Sequence, residues 1–251
     1  MCSVAGKAYR GLGETDATDQ ESIPLKPPSV IVENPAKEPI QVDLWGATAP
    51  LASSSRSHID VEGKPRKSSG HESERFTDPE LLDDIHEASK RRDDLTSSRI
   101  NMFFTVLSLC HTVVTGTDPE TGEIEYKAQS PDEAALVQAA ADVGFVFLRK
   151  EKEILCVQTP GSTDPAKYEL LDILEFTSAR KRMSVVLRRV DAASDEDLLL
   201  LSKGADNVIF ERLRPGEDEL KAETENHLSE FASNGLRTLT LAYKNISGMF
   251  C

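Results

Sequence analysis

Three apolar-rich runs follow one another closely in the second half of the chain: Tyr168 to Phe176, Arg182 to Arg189 and Leu198 to Lys203. The first two are separated by Thr177-Ser178-Ala179 and the basic pair Arg180-Lys181, and the last two by the acidic stretch "VDAASDED". Parallel neighbours need a crossover of about a dozen residues or more. These gaps are too short for one, so the runs pair as antiparallel hairpins. The spacing therefore predicts an α+β fold, a twisted antiparallel β-sheet with helices packed on it, and argues against a doubly wound parallel sheet.

The flanking segments supply the helices. "FTDPELLDDIHEASKRR" offers Asp78 as an N-cap and Pro79 at the first helical position. A second helix is expected over Ser98 to His111, buried on most faces, followed by a short strand in "EIEYKAQ". "SPDEAALVQAAADVGF" reads as a third helix, with Leu136, Ala139, Ala140 and Val143 at helical spacing and Gly144 as its stop. "FVFLRK" is a strand, a last helix runs from about Gly216 to Asn234, and "LRTLTLAYK" closes the sheet.

Residues 11–75 are expected to be a mostly disordered insertion. "PLKPPSVIVENPAKEPIQ" is proline-rich and "ASSSRSHIDVEGKPRKSSGHESER" is polar and serine-rich, and neither buries enough apolar surface to offset chain entropy. The domain division is then a first strand at 1–10, the insertion at 11–75, the main domain at 76–245 and a divergent tail at 246–251. With 43 Asp+Glu against 29 Lys+Arg the formal net charge is −14, which argues against nucleic acid as a partner. The four cysteines show no metal-ligand spacing, so no metal site is expected. No apolar run reaches the roughly 18–20 residues that span a bilayer, so the chain as it stands is expected to be soluble.

Against that acidic background, Phe176 to Val190 contains no acid, and Arg180, Lys181, Arg182, Arg188 and Arg189 all fall there. A strand-end phenylalanine such as Phe176 is ordinarily core. An exposed one beside fixed cations would instead suit a nucleotide: a base stacks on the ring, and a lysine meets the phosphates as a point charge. Lys203 leaves the apolar strand "LLLLS" just before Gly204, where a rim lysine is the ordinary reading. Arg237 follows the Asn234-Gly235 turn and is ordinarily a surface arginine. Ser130-Pro131-Asp132-Glu133 forms a capping box on paper, with Glu133 reaching back to the Ser130 amide; the same carboxylate could accept from an adenine amino group. No Walker A, H-E-x-x-H or G-x-S-x-G pattern is present.

In this order, "SPDEAAL", "EFTSARKRMSV" and "KGADNVIFERL" closely resemble the nucleotide-binding domain of P-type ATPases. "SPDE", Asp206-Asn207, "LCHTVV" and "LRTLTLAYK" look like its lipid-flippase class, and "CSVAGKAYRG" looks like the strand entering the domain. The resemblance implies that Phe176 stacks on adenine and that Lys181 approaches the phosphates. It puts Lys203 at the base of the pocket, Glu133 on the adenine side and Arg237 on the phosphate side.

It implies ATP as ligand and Mg2+ held mainly by a phosphorylation domain. The partners it implies are phosphorylation and actuator domains, membrane segments and an accessory subunit, at the cytosolic face of a membrane. The phosphorylated aspartate's D-K-T-G-T-L-T motif is absent from these 251 residues. No catalytic residue is therefore assigned here, and the expectation is of a piece of a pump that grips nucleotide without turning it over. A non-catalytic nucleotide-binding or interaction module, and the equivalent domain of a cation pump, stand as alternatives.

Overall fold

The computed structural model describes residues 1–11, 43–49, 76–91, 94–119, 124–190 and 197–247. In chain order the elements are β1 (Cys2–Val4), β2 (Lys7–Tyr9), β3 (Asp43–Ala49), α1 (Pro79–Lys90), α2 (Leu95–Leu109), β4 (Val114–Thr117) and β5 (Ile124–Lys127). There follow α3 (Pro131–Asp142), β6 (Val146–Glu151), β7 (Ile154–Gln158), β8 (Ala166–Leu174), β9 (Arg182–Arg189), β10 (Asp197–Gly204), α4 (Asp206–Phe210), α5 (Asp218–Ser233) and β11 (Arg237–Ser247). Nine strands form one sheet in the order β2-β1-β3-β11-β10-β9-β8-β7-β6, and every pairing is antiparallel. The antiparallel α+β architecture predicted from the short gaps is the one observed. A separate hairpin, β4–β5, stands beside it.

Side-chain alternation along the central strands assigns the two faces. Met183, Val185 and Leu187 of β9, Leu199 and Leu201 of β10 and Leu241 of β11 are buried in one core with Phe103, Phe104 and Val106 of α2 and Val137 of α3. The opposite face is covered by the chain after β10. There Ala242 meets Ile209 of α4, with Phe210 and Leu213 packed against them, and Ser3 bonds His227 of α5 at 2.8 Å. Ser184 of β9 lies on this opposite face, is buried, and shares a 2.8 Å hydrogen bond with Ser202.

The helix signals act as read at α1: Asp78 accepts from the Leu81 amide and Pro79 opens the helix. At α3, Gly144 ends the helix with a positive φ of 96°, and a Cβ there would crowd Pro160 at 3.1 Å. The capping box does not form. Ser130 makes no side-chain cap bond, and Glu133 turns elsewhere.

Three strands lie where no strand was expected. Within the span read as an insertion, β3 pairs with both β1 and β11 and so lies inside the sheet. The rest of 12–75 lies outside the described residues, as does 191–196, the expected hairpin loop. β4 completes the small hairpin, and β7 follows the tight turn at Lys152, whose φ is 55°. The expected tail begins inside a strand, because β11 runs on to Ser247 opposite Asp197. No helix among the described residues is long and apolar enough to cross a membrane.

Candidate functional site

A cavity of about 1080 Å³ opens where the ends of β9, β10 and β11 meet the start of α3 and the β4–β5 hairpin. Glu133, Phe176, Lys181, Lys203 and Arg237 all line it. They come from four separate regions of sequence, so their convergence is a product of the sheet order.

The connection between β8 and β9 is wired by its own backbone. The Lys181 amide donates to the Thr177 carbonyl at 2.7 Å, and the Arg180 guanidinium donates to the Leu174 and Glu175 carbonyls at 2.9 and 2.7 Å. Lys181 closes this turn with a φ of 51°, a left-handed conformation that L side chains adopt only under constraint. The turn needs nothing from Phe176, whose ring is 62% exposed. It is not the core residue that its strand-end position suggested, and it presents a bare aromatic face to the cavity.

Lys203 departs from its ordinary reading as well. It follows Leu199 and Leu201 on the core-facing side of β10, and its side chain is only 13% exposed. A buried ammonium needs a partner, and Lys203 Nζ donates to Glu133 Oε1 at 2.9 Å. Glu133 Oε2 accepts from the Thr112 hydroxyl at 2.7 Å. Burial alone would raise the Glu133 carboxyl, but the adjacent Lys203 charge, with hydrogen bonds from Lys203 and Thr112, holds it below the usual carboxylate range. Arg237 is mostly exposed and pairs with Asp132 at the rim. Lys127, also at the rim, pairs with Glu125 at 3.0 Å. Among the described residues, Lys181 is then the one cation of the cavity with no carboxylate partner.

His111 and Thr112 were not singled out as site residues. His111 is buried behind the cavity wall and held well below its ordinary value, down to about 4, first by burial and then by the Lys203 charge. Thr112 was legible only as part of "LCHTVV"; its bond to Glu133 spans 21 positions and leaves no local pattern.

The site is thus an exposed aromatic and a set of cations gathered at the strand ends of an open antiparallel sheet. The family model of the P-type ATPase cytoplasmic domain N matches residues 99–249, and the chain belongs to that family. Among curated proteins it is 45% identical over 163 residues to probable phospholipid-transporting ATPase 11 of Arabidopsis thaliana, a match covering 62% of this chain and 13% of that protein. It is 45% identical over 171 residues to phospholipid-transporting ATPase ID of Mus musculus, covering 68% of this chain and 13% of the other. Probable phospholipid-transporting ATPase 4 of Arabidopsis thaliana is 35% identical over 261 residues, covering 98% of this chain and 19% of its own length. The chain thus spans under a fifth of the length of these relatives.

Proposed function

We propose that this chain is the ATP-binding domain of a phospholipid-translocating P-type ATPase, presenting ATP to a phosphorylatable aspartate outside these residues. The observation that carries the reading is the pairing, on one wired turn, of an exposed Phe176 with the unpartnered Lys181. A nucleotide has the matching polarity, with a flat apolar base at one end and an anionic chain at the other. In this reading the base stacks on Phe176, Glu133 accepts from its amino group, and Lys203 closes the floor. Lys181 and Arg237 face the phosphates. The likeness to phospholipid-transporting relatives supports the choice of a lipid pump over a cation pump.

Each residue has a limited chemical task. Stacking and charge neutralisation bind and orient the nucleotide. They act on ground and transition states alike, so they lower no barrier by themselves. In-line attack on the γ-phosphate requires an aligned acceptor and a metal. The site's phosphate end is cationic, and its rim carboxylate Asp132 is engaged by Arg237. Mg2+ would therefore arrive on the phosphates and be held mainly by the phosphorylation domain of the parent pump. In that pump the chain would sit at the cytosolic face of the membrane, working with the phosphorylation and actuator domains, the membrane segments and an accessory subunit.

The test is titration of ATP against the amide NMR spectrum of the chain. Shifts are expected around Phe176, Glu133 and Lys203, and Phe176→Ala should weaken binding roughly 5- to 150-fold, the loss of one 1–3 kcal/mol stack. Its melting temperature should stay put. Shifts clustered elsewhere would overturn the assignment, and a collapse of melting in Phe176→Ala would return that residue to the core.

A further inference from the structure

The backbone after α2 is clamped by one imidazole. His111 Nε2 donates to the Ser108 carbonyl at 2.8 Å, and its Nδ1 accepts from the Val113 amide at 3.1 Å. The ring also stands edge-on to Phe147, with centroids 4.7 Å apart. Both nitrogens are used by backbone on either side of Thr112, so that residue is held at a fixed point on the cavity wall. From there its hydroxyl reaches Glu133 Oε2, while Lys203 holds Oε1.

We infer that Thr112 is a positioning residue that makes the cavity selective for a 6-amino purine nucleotide, by drawing Glu133 off its own helix and holding it as an acceptor beside the base. The inference rests on the proposed nucleotide site. Glu133 occupies a helix position from which it would otherwise cap the Ser130 amide; its oxygens go instead to Thr112 and Lys203. A carboxylate oxygen offers two acceptor positions. Lys203 and the Thr112 hydroxyl take one position on each oxygen, and the Thr112 amide also donates to the carboxylate, which leaves one acceptor position open. An acceptor-only group rewards an exocyclic amino donor. A 6-oxo base would set a lone pair against the remaining acceptor position where a 6-amino base donates, and polar sites discriminate well when a hydrogen bond is lost in this way. Thr112 is itself exposed, so packing does not account for it.

The experiment uses the whole chain as wild type, Thr112→Val, Thr112→Ser and Phe176→Ala, each titrated calorimetrically with ATP and with inosine triphosphate. Thr112→Val should bind ATP about 3- to 10-fold more weakly, the equivalent of one net hydrogen bond, with inosine triphosphate unchanged. Thr112→Ser should restore the wild-type ratio, and Phe176→Ala should weaken both nucleotides together, because stacking does not read the 6-position. An unchanged ATP-to-inosine triphosphate ratio in Thr112→Val overturns the role of Thr112 while leaving the site standing. Phe176→Ala with both affinities intact overturns the site, and absence of binding by wild type overturns both. A carboxyl NMR titration without nucleotide provides an independent check. Loss of the Thr112 donor should move the Glu133 pKa upward, and no movement would show that Thr112 does not hold it.

Discussion

Gly204 and Lys181 approach so closely that a Cβ on the glycine would stand 2.6 Å from the Lys181 carbonyl oxygen and 2.6 Å from the Cβ of Arg182. The next amide, Ala205, donates to that same carbonyl at 3.0 Å. The end of β10 therefore seats the turn that carries Phe176 and Lys181, and only a residue without a side chain allows it. Gly204→Ala must push backbone aside. The expected cost is about 1–3 kcal/mol, as for other overpacked sites, with amide shifts concentrated at Thr177 to Arg182. Calorimetric melting and a single spectrum decide it, and an unperturbed turn with full stability would refute the seating.

The Lys203–Glu133 pair links the sheet to α3 across a distance of 70 positions in sequence. Removing one partner of a largely buried pair strands the other charge. Lys203→Met should therefore destabilise the chain by about 1–3 kcal/mol, toward the low end of such effects because the cavity mouth admits water. Adding Glu133→Gln should recover part of that loss. Denaturant melts of both single variants and the double variant measure the coupling, and strictly additive losses would show that the two side chains are independently solvated.

How much of this was legible follows the range of each interaction. Asp78, Pro79 and Gly144 act within a few residues of themselves, and their helices form as their local patterns predict. The hairpins β8–β9 and β9–β10 were legible because short gaps leave antiparallel pairing as the available geometry. β3 was not. Its partners Ser3 and Thr240 lie far away in sequence, and the surrounding proline- and serine-rich composition masks a seven-residue strand. The site divides in the same way. The basic turn shows in composition, whereas the exposure of Phe176 and the choice of Lys203 over the Ser130 amide by Glu133 depend on which strands end side by side.

β3 yields a prediction that separates the strand from its surroundings. Gly46 pairs with Ser3 on one side and Thr240 on the other, so a proline there removes a ladder donor inside the sheet. Gly46→Pro should destabilise the chain by about 3 kcal/mol or more. Deletion of residues 20–38, whose composition offers no core and whose removal still leaves about a dozen residues for the crossover from β2 to β3, should leave the fold and ATP binding intact, since long insertions cost little closure entropy. Thermal melts and limited proteolysis of both variants check this. Equal sensitivity to the two changes would mean that the deleted stretch also packs on the domain.

Acid should unfold the chain through His111 before most carboxylates respond. Its folded value lies near 4, against an ordinary 6.5, so between those limits the unfolded state takes up a proton that the folded state refuses. Stability is then fully present above pH 6.5 and falls as pH drops toward 4, with a limiting slope of about 1.4 kcal/mol per unit and a total near 3 kcal/mol. Both ring nitrogens are already committed to Ser108 and Val113, and the nearby Lys203 repels a second positive charge. Glu133 adds to the loss at the acid end. Its carboxyl is lowered in the fold, so its contribution is present above its unfolded value and disappears as it is protonated. His111→Gln keeps one donor and one acceptor but cannot take up the proton. Its stability, measured by urea titration across pH 7.5 to 4, should stay level down to about pH 5 while wild type declines. Parallel curves for the two proteins would assign the acid sensitivity to other groups.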